Sequence, residues 1–325
     1  MHVLRLVTAV ACVLAAAVAV AQVPGGVSGF PQKPLRIIVS SAPGGGQDLT
    51  TRPVAHKLAE ALGVSVVVDN RGGASGIVAM DVTRQAAPDG YTLLVGATSM
   101  ILMGVTNKVP YDIRKAFDPL VQLTSQPYLL VVHPSVPATN PKEFVAFAKT
   151  KPGVLTYGTS GPGSLHNLGM DLFQAITGTK LIHVPYKGSG PALIDLLAGQ
   201  INLMFTSTIS GSAHVKGGKL RGIAVTSPSR VDVFPELPTL AETVAPGYEL
   251  GNNYSMFAPA GTPKSILNFL NGAITRVVHA PDLRAKFAAD GATPAPALDA
   301  EKFRDAYMRE VSRWEQFTKK RKSQP

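Results

Sequence analysis

Two glycine-rich segments of this chain carry the residue types that bind anions. Residues 41–48 read Ser-Ala-Pro-Gly-Gly-Gly-Gln-Asp, and residues 160–164 read Ser-Gly-Pro-Gly-Ser. Glycine lets a backbone approach a ligand closely, and the unpaired N–H groups at the start of a following helix carry a partial positive charge. A helix after each segment would make it an anion site, although residues 160–164 are also compatible with a simple tight turn.

The flanking residues predict the strand and the helix that such a site needs. A short apolar strand precedes each segment, at 35–40 and at 155–159. After the second segment, apolar side chains at helical spacing predict a helix over 165–176, and Ser164 is a suitable N-cap. After the first segment, a similar apolar pattern extends to Leu62. The same strand–loop–helix unit is therefore predicted twice.

Pro53 constrains where the first helix begins. A proline inside a helix removes a backbone hydrogen bond, whereas the first turn tolerates it. We therefore expect this helix to begin at Thr50 or Thr51 and to leave Asp48 in the loop. From there the Asp48 carboxylate either braces residues 44–47 or faces the polar end of a ligand.

Strands and helices alternate along the rest of the chain. Strands are predicted at 65–69, 91–96, 181–184, 201–205 and 220–225, with helices at 77–87, 141–149, 192–198, 264–279 and 300–319. This alternation favours parallel sheets covered by helices on both faces. Such sheets bind ligands beyond the carboxyl ends of their strands, where the glycine-rich segments emerge. Two facing lobes would place both segments on one cleft.

The N-terminus and the single cysteine indicate an exported protein. Residues 1–21 combine Arg5, an apolar run and an Ala-Val-Ala cleavage site, so we expect a secretory signal cleaved near Ala21; a membrane anchor is the alternative. Cys12 is the only cysteine and lies within that signal. Because the histidines also lack metal-binding spacing, no metal site and no cofactor are expected.

The charge balance favours an acidic small molecule as ligand. The chain has 31 Lys and Arg residues against 21 Asp and Glu residues, which gives a formal net charge of +10. A basic body attracts small anions by long-range steering. Because the basic residues are mostly scattered and aromatic residues are few, no nucleic-acid partner is expected.

The catalytic motifs in the chain are incomplete. Residues 158–162 lack the last glycine of the G-x-S-x-G nucleophile elbow, and Leu49 stands where a dinucleotide fingerprint needs a glycine. We therefore expect no enzyme. A secreted serine hydrolase that uses Ser160 or Ser164 with His166 stays open as an alternative, and His166 would otherwise donate to a bound carboxylate or pack locally.

A series of short motifs resembles the tripartite tricarboxylate transporter substrate-binding family, the Bug-type solute receptors. The matching segments are 30–36, 42–45 with Asp48, 69–71 with Gly76, 87–94, 157–161 with 163, 164 and 166, 183–188, 195–200, 224–227 with Arg230, and 258–263. They follow one another in order over nearly the whole chain after the signal. Each motif alone is weak, whereas the ordered set is specific.

The resemblance implies an α/β, two-lobed type II periplasmic binding protein fold, in which each lobe is a mainly parallel sheet flanked by helices. Lobe 1 would comprise 22–128 and 240–325, and lobe 2 would comprise 129–239. It further implies a monomeric periplasmic receptor that closes on a small organic acid (a di- or tricarboxylate, an acidic amino acid or an aromatic acid) and delivers it to membrane permease subunits. A ligand-dependent sensor with the same cleft is the alternative.

Position by position, the resemblance also implies the binding residues. On lobe 1 they are Gly44, Gly45, Gly46 and Asp48, with Thr98 and Ser99 after the third strand; on lobe 2 they are Ser160, Gly161, Ser164 and His166, with Pro185 and Tyr186 along the cleft. The chain departs from the family pattern at Pro53, at Gly72, where proline is usual, and at 252–254, where a tryptophan is common. The last departure would make the wall between the lobes more polar.

Overall fold

A computed structural model describes residues 27–106 and 109–322. The predicted signal at 1–21 lies outside these residues. Within the described ranges, no helix is both long enough and apolar enough to cross a membrane.

The described residues form a mixed α/β structure. The strands are β1 Leu35–Val39, β2 Val66–Asn70, β3 Thr92–Ala97, β4 Phe117–Val132, β5 Thr156–Thr159, β6 Ile182–Pro185, β7 Leu203–Ser207, β8 Arg221–Val225, β9 Gly251–Pro259 and β10 Thr293–Pro294. The helices are α1 Gly46–Leu62, α2 Ile77–Arg84, α3 Thr98–Val105, α4 Ile113–Ala116, α5 Pro141–Thr150, α6 Leu165–Thr177, α7 Ser189–Leu197, α8 Thr208–Lys216, α9 Lys264–Val278, α10 Pro281–Ala289 and α11 Ala300–Lys322.

The strands divide between two lobes that share β4. In one lobe β1 lies between β2 and β3, and all three are parallel; in the other, β5 pairs in parallel with β6 and β7. The long β4 pairs antiparallel with β9 as far as Pro127 and then with β7 from Tyr128 onward. The chain therefore crosses between the lobes where β4 exchanges one partner strand for the other.

Each lobe buries its own apolar layer. Ile37 of β1, Leu58 of α1 and Leu270 of α9 are fully buried in a cluster of the first lobe. Leu196 and Met204 are fully buried in a cluster of the second lobe. A third buried cluster includes side chains of both lobes, so the core is continuous across the crossing strands.

The first helix begins before either position that the sequence predicted. In α1, Asp48 lies in the first turn and Pro53 lies in the interior. The Asp48 carboxylate accepts a hydrogen bond from the backbone N–H of Gly44 at 2.9 Å and so holds the preceding loop against the helix. The carbonyl that Pro53 leaves without a donor belongs to Leu49, whose side chain is 37% exposed, so that turn lies at the surface.

Sequence periodicity did not reveal several elements at the lobe boundary. Helices α3, α8 and α10 and strand β9 were not predicted, and α7 begins before the predicted residue 192. β9 opens with Asn252, Asn253 and Tyr254, which do not give the apolar alternation of a half-buried strand. Apolar periodicity therefore did not predict β9, the second of the two crossing strands.

The core of the second lobe gives a test of this architecture. Phe173 of α6 is 0% exposed and packs edge-on against Phe205, with ring centroids 6.4 Å apart. We expect Phe173→Ala to lower the free energy of unfolding by about 3–5 kcal/mol, because it leaves a cavity. Ile176 on the same helix is 41% exposed, so Ile176→Ala should change stability by less than about 1 kcal/mol. Urea denaturation followed by circular dichroism measures both; equal losses would contradict the assigned core.

Candidate ligand-binding cleft

Four helices begin at one cleft between the lobes. Helices α1 and α3 follow strands β1 and β3 in the first lobe, and α6 and α7 follow β5 and β6 in the second. The residues at their first turns that line the cleft are Gln47, Ser99, Leu165 and Ser189. Because each helix start leaves N–H groups unpaired and carries partial positive charge, the cleft has an electrostatic preference for an anion.

The cleft wall is polar and carries little formal charge. Hydroxyl and amide side chains dominate it, namely those of Ser40, Ser41, Gln47, Ser75, Ser189 and Asn252, all of which are buried. Among the described residues that line the cleft, Lys187 is the one with a charged side chain, and it is exposed. An anion here would be held by hydrogen bonds and helix termini, since the wall has no arginine to pair with it.

The second glycine-rich segment contributes side chains directly to this wall. Ser160 and His166 line the cleft, as does Ser99 from the first lobe, so three of the predicted binding residues meet there. The Ser160 hydroxyl and His166 Nδ1 are 2.9 Å apart. The His166 ring also lies against Tyr128, with ring centroids 4.7 Å apart.

Burial keeps His166 neutral. It lowers the pKa of His166 to about 4, and burial is the sole cause. At neutral pH the imidazole therefore donates through one nitrogen and accepts through the other, without a positive charge. A Ser–His–acid triad needs a carboxylate that stabilises the imidazolium, and no carboxylate contributes to the pKa of His166. His166 thus presents a neutral hydrogen-bonding group to the cleft.

Other predicted binding residues support the cleft from behind its wall. Asp48 is 3% exposed and pairs with Arg52 at 2.9 Å, so it braces its own loop. Ser164 caps α6 by accepting a hydrogen bond from the Asn167 N–H, and its hydroxyl donates to the Gly161 carbonyl at 2.7 Å.

The rest of the predicted set lies beside the cleft. Thr98 Oγ1 accepts a hydrogen bond from the Asn253 N–H at 3.2 Å. The Tyr186 hydroxyl donates to Asp195 at 2.7 Å, and Pro185 is exposed at the end of β6. None of these three predicted residues belongs to the cleft lining that the described residues form.

The glycines of the first segment permit close contact between the lobes. A Cβ atom at Gly45 would lie 2.7 Å from Ser189 Oγ of the other lobe. One at Gly46 would lie 2.3 Å from both Ser207 Oγ and the Tyr254 hydroxyl. Gly44 adopts a φ of +77°, which favours glycine, and donates its N–H to Asp48. These glycines allow the approach of the two lobes and are absent from the cleft lining itself.

The crossing strands supply cleft residues that were not in the predicted binding set, although 252–254 were expected at the wall between the lobes. Asn252 and Tyr254 of β9 and Tyr128 of β4 line the cleft. Side chains two apart in a strand share a face, which would have linked 252 with 254 had the strand been recognised. Ser40 and Gln47 were also missed; their side chains are joined by a hydrogen bond of 2.6 Å.

The lobes touch across the cleft. The Ser75 hydroxyl of the first lobe donates to the Pro162 carbonyl of the second at 2.9 Å. A Cβ atom at Gly190 would lie 2.1 Å from the Pro43 carbonyl oxygen. The remaining cavity has a volume of about 20 Å³, which is room for about one water molecule. The two lobes therefore lie close together around this cleft.

Two α/β lobes joined by crossing strands, with helix N-termini around the cleft between them, define a periplasmic binding protein. The family described as the tripartite tricarboxylate transporter family receptor matches residues 50–322. The chain belongs to this family, as its motifs predicted, and the two-lobed fold is confirmed.

Many solved structures, including the following three, are similar to the chain. The periplasmic binding protein BugD has 29% sequence identity and a TM-score of 0.84, and the match covers 90% of this chain and 98% of BugD. The R. palustris protein Rpa4515 with adipate has 32% identity and a TM-score of 0.82, with 89% and 97% of the two chains covered. MatC from Rhodopseudomonas palustris with bound malate has 30% identity and a TM-score of 0.82, with 88% and 99% covered.

The lowered pKa of His166 predicts a pH dependence of stability. The unfolded chain takes up a proton as the pH falls below about 6.5, whereas folded His166 does so only near pH 4. This histidine therefore makes the folded protein less stable as the pH falls from about 6.5 to 4. We expect His166→Gln to flatten the pH dependence of the unfolding free energy in that window.

A surface histidine is the control for that measurement. The His56 side chain is 76% exposed, so His56→Gln should leave the pH profile close to that of the unsubstituted protein. Urea denaturation at half-unit pH steps compares the three proteins. An unchanged slope in His166→Gln would show that His166 titrates normally in the folded state.

Proposed function

We propose that the protein captures a small carboxylated solute by hinge closure and delivers it to a tripartite tricarboxylate-type membrane permease. The observation that carries the proposal is the convergence of four helix N-termini on one interlobe cleft with a neutral, hydrogen-bonding wall. The adipate of Rpa4515 and the malate of MatC support a small carboxylate as the ligand of this cleft.

The carboxylate contacts are shared by both lobes in this proposal. On the first lobe, Ser99 and the N-termini of α1 and α3 hold the ligand. On the second lobe, Ser160, His166 and the N-termini of α6 and α7 complete the site, with His166 donating its free N–H. Because each lobe holds part of the anion, the ligand is bound fully only when the lobes meet, so it favours the closed state.

The hinge lies where β4 and β9 separate. Their pairing ends at Pro127 and Gly251. We place residues 240–250 with the second lobe, since the Tyr248 hydroxyl donates to the Gly169 carbonyl at 2.9 Å and the Leu240 N–H donates to Val225. The lobe boundary proposed here is thus nearer 250 than the residue 240 expected from the resemblance.

A second cavity gives the hinge room to open. It lies on the face of the crossing strands opposite the cleft and has a volume of about 350 Å³. Leu168 and Leu172 of α6 line it from the second lobe, and Arg313 and Trp314 of α11 line it from the other side. Rotation about the crossing strands that opens the cleft would bring α6 towards α11 into this space.

The cellular context follows from the family and from the N-terminus. BugD is a periplasmic binding protein, and we propose the same location for this chain after cleavage near Ala21. The proposed partners are membrane permease subunits, which receive the ligand from a monomeric receptor. No bond is made or broken in the ligand.

A calorimetric screen tests carboxylate capture. We expect at least one di- or tricarboxylate, acidic amino acid or aromatic acid to bind with a stoichiometry near one, and small-angle scattering to show a more compact protein on binding. A folded protein that binds no carboxylate, but is labelled at Ser160 by a serine-directed phosphonate, would contradict the proposal and favour the hydrolase.

The variant Gly190→Ala tests closure of the lobes without disturbing the folding of either lobe. The residue lies in the first turn of α7, where alanine is a better helix former than glycine, so the second lobe should fold normally. In the closed state the added methyl group would overlap the Pro43 carbonyl. We therefore expect Gly190→Ala to bind the carboxylate at least about tenfold more weakly, because a loss of about 1.4 kcal/mol is enough for that change.

Gly272→Ala is the matched control. Gly272 also lies within a helix, α9, and the nearest atom to an added Cβ is the end of the Arg276 side chain at 3.6 Å. This variant should keep the affinity of the unsubstituted protein. If Gly190→Ala also keeps its affinity and compacts on binding, closure does not bring these backbones together.

A further inference from the structure

The crossing strands present a row of polar side chains to the cleft. Thr124 of β4 is paired with Tyr254 of β9, and Gln126 is paired with Asn252. These four residues, here called the cleft floor, share one face of the two strands because alternate strand residues point to the same side. Asn252 and Tyr254 line the cleft, which places this face towards the ligand.

Several polar atoms of the cleft floor are buried without a partner among the described residues. They are Thr124 Oγ1, Gln126 Oε1 and Asn252 Oδ1. Burial raises the pKa of Tyr254 to about 12, and hydrogen bonds with Ser207, Gln126 and Asn252 oppose that rise, so the Gln126 amide nitrogen has the Tyr254 hydroxyl as a partner. Thr124 is 0%, Gln126 3% and Asn252 1% exposed, so bulk water does not reach these side chains. Because nearly all buried polar groups have a hydrogen-bond partner, the unpaired oxygens beside the cleft are places where a ligand or an ordered water would supply one.

The hydrogen-bonding capacity of these atoms determines which group of a ligand could satisfy them. The two amide oxygens, Asn252 Oδ1 and Gln126 Oε1, only accept hydrogen bonds, whereas the Thr124 hydroxyl donates or accepts. A carboxylate only accepts, so it leaves both amide oxygens unsatisfied. A hydroxyl group donates to one amide oxygen and accepts from an N–H, and an ammonium group donates only.

The electrostatics of the cleft favour the hydroxyl over the ammonium group. No aspartate or glutamate belongs to the cleft lining that the described residues form, so an ammonium group would be buried without a counter-ion. The helix N-termini and the nearby Lys187 also disfavour a cation. A neutral hydroxyl carries no such penalty.

We propose that the preferred ligand is a hydroxylated carboxylate, a class that includes the 2-hydroxy acids. The inference rests on the proposed capture of carboxylates and adds the group that distinguishes among them. The carboxylate lies at the helix N-termini, and the hydroxyl lies on the cleft floor, donating to Asn252 Oδ1. Asn252, which lines the cleft, is the specificity-determining residue in this assignment.

Matched ligands test the assignment by isothermal calorimetry. Succinate, malate and aspartate differ only in the group at one carbon (hydrogen, hydroxyl or ammonium), as do glutarate, 2-hydroxyglutarate and glutamate. We expect the hydroxy acid of the better-fitting series to bind at least about tenfold more tightly than the other two members, because a site built for a hydroxyl discriminates strongly against its absence.

The variant Asn252→Leu tests whether Asn252 recognises the hydroxyl group of the ligand. The side chains are similar in size, but leucine cannot accept a hydrogen bond. We expect the preference for hydroxy acid over unsubstituted acid to fall to about one, with the affinity for the unsubstituted acid kept. Asn253→Leu is the control, since Asn253 lies on the opposite face of β9 and should keep the preference.

The outcomes separate this inference from the function on which it rests. Unsubstituted or amino acids that bind as tightly as hydroxy acids would overturn it and leave carboxylate capture intact; the floor would then be satisfied by bound water. An Asn252→Leu protein that keeps the full preference would overturn the role of Asn252. Failure of the folded protein to bind any carboxylate would overturn both proposals together.

Discussion

The partial positive charge of helix N-termini is the constraint on which the cleft depends. Helices α1, α3, α6 and α7 follow parallel strands of the two lobes and begin at one cleft. Each of these helices has unpaired N–H groups at its start. Bringing these termini together without an anion concentrates like partial charges in a buried space, whereas an anion stabilises all of them at once. In the proposed mechanism a negatively charged ligand therefore favours closure, because the fold itself places the helix N-termini around the cleft.

Closure also depends on backbone contact between the lobes. Gly72 illustrates this, because a Cβ there would lie 2.5 Å from the Lys187 carbonyl oxygen and 2.7 Å from the Ala42 nitrogen. Glycine at this position therefore lets the two loops approach closely. A Cβ atom at Gly188 would likewise lie 2.8 Å from the Ala42 nitrogen. Small residues on both lobes thus let the cleft close down on a small ligand.

Sequence rules predicted the features that depend only on neighbouring residues, such as turns, helix caps and amphipathic helices. Glycine-rich turns, the Ser164 cap and apolar periodicity located the strand–loop–helix units, and with them Ser160 and His166. The proline rule misplaced the start of α1, because Asp48 stabilises the helix start in spite of Pro53. Strand β9 escaped detection since the pattern that predicts strands is apolar alternation, and the residues that β9 turns to the cleft are polar. The cleft floor could not be predicted from local sequence, because it forms only when β4 pairs with β9.

The two sets of cleft residues have different mechanical roles in the proposed mechanism. The glycine-rich loops lie away from the hinge and come together only on closure, so their contacts contribute to affinity in the closed state. Asn252 lies next to the crossing point at Pro127 and Gly251, where rotation moves atoms least. In this mechanism its contact with a ligand forms before closure and persists through it. Selection by the ligand's polar group therefore precedes closure, and the anion contacts then hold the ligand that has been selected.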